Sequence, residues 1–188
     1  MIQFDLINDV QKYIRMGIGK MKTIILYATK YGCTEKAAVK LTEKISDQID
    51  RDVTKVNLKN QKMPDLGEFD CIIIGGSIYA GRIQKEIKEL IQQNGYLIKE
   101  KPLGLFVCCG FQDKAMEQMK EAFGELYDSA RVKEYFGAMF NTDKMNFAEK
   151  LIVKVVSRSD KAKPPGIIEE NIDEFVGKLT AEMAIRNY

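Results

Sequence analysis

The chain has 188 residues, with 29 Lys and Arg against 27 Asp and Glu, a net charge of +2, four Cys, no Trp and no His. A chain of this length is most simply one domain burying about 70% of its unfolded surface. The missing His excludes Ser-His-Asp and Cys-His nucleophiles, HExxH metal sites and haem held by an axial His; the balanced charge argues against a dedicated nucleic-acid binder.

Asp5, Asn8 and Asp9 interrupt any apolar core near the N-terminus, so no signal peptide is expected. Phe4, Ile7, Val10 and Ile14 have the spacing of a short docked helix, with an upstream extension of little consequence as the equal alternative. Residues 1–21 are therefore set apart from a single domain over 22–188. Residues 23–28 (TIILYA) form an apolar, β-branched run of strand length, followed by Ala37, Ala38, Leu41, Ile45 and Ile49 at helical spacing. Residues 53–58 alternate as a second, more exposed strand. Residues 69–76 (FDCIIIGG) read as a buried strand, and Ile83, Ile87, Leu90 and Ile91 as a helix stopped near Gly95. Residues 103–109 (LGLFVCC) make a fourth strand, and Met116, Met119, Phe123, Leu126 and Tyr127 mark one helix. A fifth strand is expected at 135–140 and a last helix through Ile172, Phe175, Val176 and Leu179, with an inserted segment at 141–166 between them.

Strands alternating with helices demand right-handed crossovers and a sheet covered on both faces. The fold class is α/β: a doubly wound five-stranded parallel sheet in the order 2-1-3-4-5 with helices on both faces. The four Cys (Cys33, Cys71, Cys108, Cys109) show no metal-ligand spacing, and buried small hydrophobes are the preferred reading for Cys71 and Cys108. No run of 18 apolar residues occurs, so no transmembrane helix is expected and a cytoplasmic location is.

Ligands of such sheets bind at the carboxyl ends of the strands where the winding reverses. Three loops meet there. The first, Thr29-Lys30-Tyr31-Gly32-Cys33-Thr34, leads from a buried strand into a helix N-terminus, a natural anion site; an ordinary loop with Thr34 as N-cap is the alternative. The patterns GxGxxG and GxxxxGK[ST] are missing after the first strand, and the acidic residues of a phosphoacceptor receiver are missing too. The second loop, from Gly75 through Ser77-Ile78-Tyr79-Ala80-Gly81 to Arg82, has small residues that admit a flat ligand and an aromatic plane in Tyr79. The third, Cys109-Gly110-Phe111, offers a second plate in Phe111. Each ring taken singly reads as packing; together with the anion cradle they suit a planar aromatic cofactor with a phosphate tail.

The segments ATKYGCTE, IGGSIYAGR and CCGFQ, in this order between alternating strands, resemble those of flavodoxins over about residues 22–140 plus the last helix. The resemblance implies FMN: residues 29–34 would hold its phosphate, residues 77–81 and 109–111 would enclose the isoalloxazine, Tyr79 and Phe111 would stack on it, and the Ala80–Gly81 peptide would respond to protonation at flavin N5. Cys33 stands where flavodoxins usually have Asn; it reads as a backbone-positioning residue or a low-pKa thiol, and Lys30 as a phosphate partner or a solvated side chain. Within the group, GGSIYAG, Phe136-Gly137-Ala138-Met139 and the stretch FAEKLI at 147–152 resemble menaquinone-dependent protoporphyrinogen oxidase. That family has a basic, aromatic insertion after strand four, and here the loop is brief. Lys150, Lys154 and Arg158 beside Leu151, Ile152, Val155 and Val156 read either as a helix packed on the sheet or as a peripheral membrane contact at 147–158.

The resulting expectation is an FMN-dependent oxidoreductase or electron-transfer protein without a catalytic side chain or metal, served by a redox partner protein or a quinone. The alternative is a flavodoxin-fold interaction or sensor module that does not use FMN catalytically. A charge of +2, against the usual acidity of flavodoxins, should oppose flavin reduction less and select other redox partners.

Overall fold

β-Branched residues pack well on a pleated surface buried on both faces, and the apolar runs become the strands of one sheet. The computed structural model describes residues 21–49, 52–79, 81–139 and 166–185. Strands β1 (Lys22–Ala28), β2 (Asp52–Asn57), β3 (Cys71–Ile78), β4 (Leu103–Cys109) and β5 (Val132–Tyr135) pair in parallel in the order β2-β1-β3-β4-β5. Helices α1 (Cys33–Ile49), α2 (Lys85–Lys99), α3 (Ala115–Phe123), α4 (Glu125–Ser129) and α5 (Glu169–Ile185) flank it. The docked helix or extension expected within residues 1–20 lies outside the described residues, as does the basic stretch 147–158; of the segment expected at 141–166 only Gly166 is described.

Side-chain alternation sorts each strand between two cores. Ile24, Leu26 and Ala28 of β1 join Leu105, Val107 and Cys109 of β4 beneath α2, α3 and α4, in a cluster with Ile87, Leu90, Met119 and Phe123. Ile25 and Tyr27 join Phe106 and Cys108 on the other face, beneath α1 and α5, with Leu41, Ile45, Phe175 and Leu179. There Phe136 stacks on Phe106 (centroids 4.6 Å apart) and meets Phe175 edge-on at 5.3 Å. Lys40–Glu169 (2.6 Å) and Lys44–Asp173 (2.5 Å) bridge α1 to α5 along the exposed rim.

Four element boundaries differ from expectation by more than a residue: β3 runs Cys71–Ile78 rather than 69–76, so Gly75 to Ile78 of the expected second loop belong to the strand. The fifth strand lies at Val132–Tyr135, earlier than 135–140, in register with residues 104–107 of β4. Its Lys133 and Glu134 disguise it, yet charge is usual on an edge strand. Beyond Phe136, whose N–H still donates to Val107 O (2.9 Å), the chain leaves the sheet. Gly137 and Ala138 form a short strand β6, antiparallel to β7 (Gly166–Ile167). A Cβ on Gly137 would sit 2.0 Å from Gly166 O, so the two backbones touch only because Gly stands there. Helix α2 runs through Gly95 to Lys99, because the fully buried Ile98 continues its apolar stripe. The helix expected through Met116 and Tyr127 is broken at Gly124 into α3 and α4.

Candidate functional site

The register sets the three loops side by side: Ala28 of β1 lies opposite Gly76 of β3, and Ser77 and Ile78 of β3 lie opposite Cys108 and Cys109 of β4. Thr29, Tyr31, Cys33, Ser77, Ile78, Tyr79, Cys109 and Gly110 line a cleft between them.

In the first loop, Thr29 Oγ1 accepts from Gly32 N–H (2.9 Å), closing a tight turn. Gly32 has φ +90°, and nothing lies within 4 Å of where its Cβ would stand, so the loop is open above it. Its carbonyl accepts from Lys36 N–H (3.1 Å) and starts α1. The N–H groups of Cys33, Thr34 and Glu35 therefore have no acceptor within the helix. Thr34 is fully buried beside the Cys108 thiol, and its hydroxyl has no hydrogen-bond partner among the described residues. A buried hydroxyl without a partner is costly; an anion at the helix N-terminus would accept hydrogen bonds from it and from the orphan N–H groups together. The residues present thus fit a phosphate. Behind the loop, Tyr27 Oη donates to Glu35 Oε1 (3.3 Å). Burial, helped by the Glu35 carboxylate, pushes the Tyr27 phenol up to about 12.

The second loop is held by its own groups. Tyr79 and Arg82 exchange two backbone hydrogen bonds of 3.0 Å, making a two-residue turn in which Gly81 has φ +72°. Ala80 of that turn lies outside the described residues. Gln84, the residue before α2, grips Ser77 three times. Its Nε2 donates to Ser77 O (2.7 Å) and Ser77 Oγ (2.7 Å), and its Oε1 accepts from Ser77 N–H (2.9 Å). Gly75 and Gly76 do not make room for a ligand: Cβ atoms there would strike Phe106 (2.0 Å) and Ile83 (2.6 Å), so both glycines serve core packing.

Tyr79 meets the Tyr31 ring edge-on (5.8 Å, 74°), and Lys30 Nζ stands 4.5 Å from the Tyr79 centroid and 5.1 Å from that of Tyr31. Tyr79 Oη is buried without a hydrogen-bond partner among the described residues. Phe111, 37% exposed, stands outside the lining of the cleft, as do Lys30, Gly32, Thr34 and Gly81. In the third loop Cys109 Sγ donates to Phe111 O (3.4 Å), while Tyr135 Oη donates to Cys109 O (3.1 Å) and ties the loop to β5. Burial pushes the Cys109 thiol up to about 11. Cys33 is held below its ordinary value, first by the Cys108 thiol, then by Met139 N–H and Lys36; Cys108 is correspondingly pushed well above.

Cys108, Ala138 and Met139 also line the cleft and were not among the expected site residues. Cys108 reads from sequence as a core hydrophobe, and it is also that, in the cluster beneath α1. Ala138 and Met139 reach the cleft because the chain turns off the sheet at Gly137, and a Gly directly after a strand was the available signal.

A flavodoxin-domain family model matches residues 24–165. The fold is similar to that of rubredoxin oxygen:oxidoreductase from Desulfovibrio gigas (TM-score 0.57, 15% identity, 88% of this chain and 36% of that one). It is also similar to a short-chain flavodoxin associated with a non-canonical PDU bacterial microcompartment (TM-score 0.57, 14% identity, 87% and 99%). A flavodoxin of Streptococcus pneumoniae TIGR4 is a third such structure (TM-score 0.54, 18% identity, 88% and 99%). The chain spans about a third of the length of the first and nearly all of the other two. No curated protein matches it in sequence.

Proposed function

This chain belongs to the flavodoxin-domain family, whose cofactor is FMN, and from that premise we propose that it is an FMN-dependent oxidoreductase that passes electrons to or from a redox partner protein or a quinone. The observation that carries the reading is the first loop: a buried, unpartnered Thr34 hydroxyl and orphan N–H groups at the head of α1, beside a tyrosine-lined cleft. Bound there, the flavin would supply the redox chemistry. Thr29, Gly32 and Thr34 would hold its phosphate, the Ser77–Arg82 turn and Gly110 would flank its ring, and no side chain need act as acid or base. Purified protein should be yellow, and the apoprotein should quench FMN fluorescence on titration. A colourless protein that leaves FMN fluorescence unchanged would overturn the proposal in favour of an interaction module.

The finer assignment, to the menaquinone-dependent protoporphyrinogen oxidase branch, is supported by GGSIYAG and Phe136-Gly137-Ala138-Met139. FMN-dependent oxidation of protoporphyrinogen with a menaquinone analogue as acceptor tests it, and no turnover would dismiss it. The charge of +2 should make the flavin potential less negative than that of acidic flavodoxins, which a redox titration reads directly.

A further inference from the structure

Three thiols line the cleft, and the pleat divides them. Cys108 lies on the α1 face of β4 in one cluster with Cys33, whereas Cys109 lies on the opposite face and its thiol is turned to Phe111 O. Cys71 belongs to the same cluster as Cys33, but it stands at the far end of β3, six residues before Ser77, the register partner of Cys108. At about 3.3 Å per residue that is roughly 20 Å away. The only other thiol on the face of Cys33 at this end of the sheet among the described residues is therefore Cys108, and both line the same cleft. Among the described residues no group is arranged to hold a metal ion.

We propose that Cys33 and Cys108 are a hydroperoxide-reactive thiol pair, in which Cys33 is the nucleophile and Cys108 the resolving thiol. Cys33 occupies the first position of α1, where the helix dipole favours a thiolate, and Met139 N–H and Lys36 lie beside its sulfur. Cys108 is enclosed in the same cluster beneath α1 and lines the same cleft as Cys33. Reaction with ROOH forms an S–O bond on Cys33 and breaks the O–O bond, releasing ROH once the alkoxide takes a proton. Cys108 sulfur then attacks Cys33 sulfur; the S–S bond forms, the S–O bond breaks, and hydroxide leaves as water with the Cys108 proton. Two thiols are thereby oxidised by two electrons and one peroxide is reduced. The reaction uses thiols alone, so it and FMN binding are read separately and fail separately.

The test is one equivalent of hydrogen peroxide on the purified protein, followed by thiol titration after denaturation and mass mapping. The titratable thiols should fall from four to two. A dithiol should restore them, and fragment ions should join residues 31–36 to residues 100–114 through Cys108. Cys108→Ser should instead trap a dimedone-reactive sulfenic acid on Cys33. Four surviving thiols, linkage through Cys109, or direct passage of wild-type Cys33 to sulfinic acid would overturn the assignment.

Discussion

The loop after β1 and the loop after β3 face each other across the cleft, yet their polar groups are used in opposite ways. The first leaves them open: Thr34 Oγ1 is buried and unpartnered, and the first N–H groups of α1 have no acceptor within the helix. The second satisfies its backbone groups: Gln84 makes three bonds to Ser77, and Tyr79 and Arg82 bond each other twice, although Tyr79 Oη is left unpartnered among the described residues. One loop is built to be completed by an anion, the other to keep a fixed shape whether or not a ligand is present. Stability should therefore depend on the second loop and affinity on the first.

Gln84→Ala should give the largest change. It removes both partners of the Ser77 backbone and should cost about 2 kcal/mol in the apoprotein, a fall of roughly 4–8 °C in Tm. An unchanged melting curve would break the contrast. Thr34→Ala should weaken FMN binding about tenfold, equivalent to about 1.4 kcal/mol. The apoprotein should melt no lower than the parent, since an unpartnered buried hydroxyl is lost. A destabilised apoprotein with unaltered affinity would show that the hydroxyl serves the fold. Gly81→Ala forces a Cβ into positive φ and should cost about 1 kcal/mol, visible as a smaller fall in Tm.

Alkali should produce the gentlest effect. Cys109 is raised from 9 to about 11 and Tyr27 from 10 to about 12, both mainly by burial. The unfolded chain loses these protons first, so stability falls as pH rises, beginning near pH 9 through the thiol and steepening above pH 10 through the phenol. Tyr27→Phe should shrink the later part of that decline in a series of thermal melts, the buried Tyr135 phenol, also raised by burial, supplying the rest. An equally steep decline above pH 10 in the variant would separate the phenol, and its bond to Glu35 behind the first loop, from alkaline stability.

The strand order was legible because parallel strands covered on both faces must be apolar along their whole length, as β1, β3 and β4 are. The edge strand β5 was not, because Lys133 and Glu134 interrupt the pattern: Lys133 Nζ donates to Ala130 O (2.6 Å), and Glu134 stands 3.9 Å from Lys178. The turn of the first loop could be read from Thr29 and Gly32, since a short hydroxyl acceptor and a positive-φ glycine are matters of local chain geometry. The clamp of Gln84 on Ser77 was hidden, since a glutamine at the start of a helix carries no sign of a partner seven residues back. Gly75 and Gly76 misled for the same reason: only the packed structure reveals that Phe106 and Ile83 fill the space beside them.

The pairing of β6 with β7 fixes where the chain departs before residue 140 and where it returns after residue 165. Gly137 stands opposite Ile167, and Ala138 opposite Gly166. Once two ends are pinned together, lengthening the chain between them is cheap, about 0.6 kcal/mol for each doubling. Ala138 and Met139, at the point of departure, also line the cleft. The β6–β7 junction is thus an anchor that holds Ala138 and Met139 at the cleft.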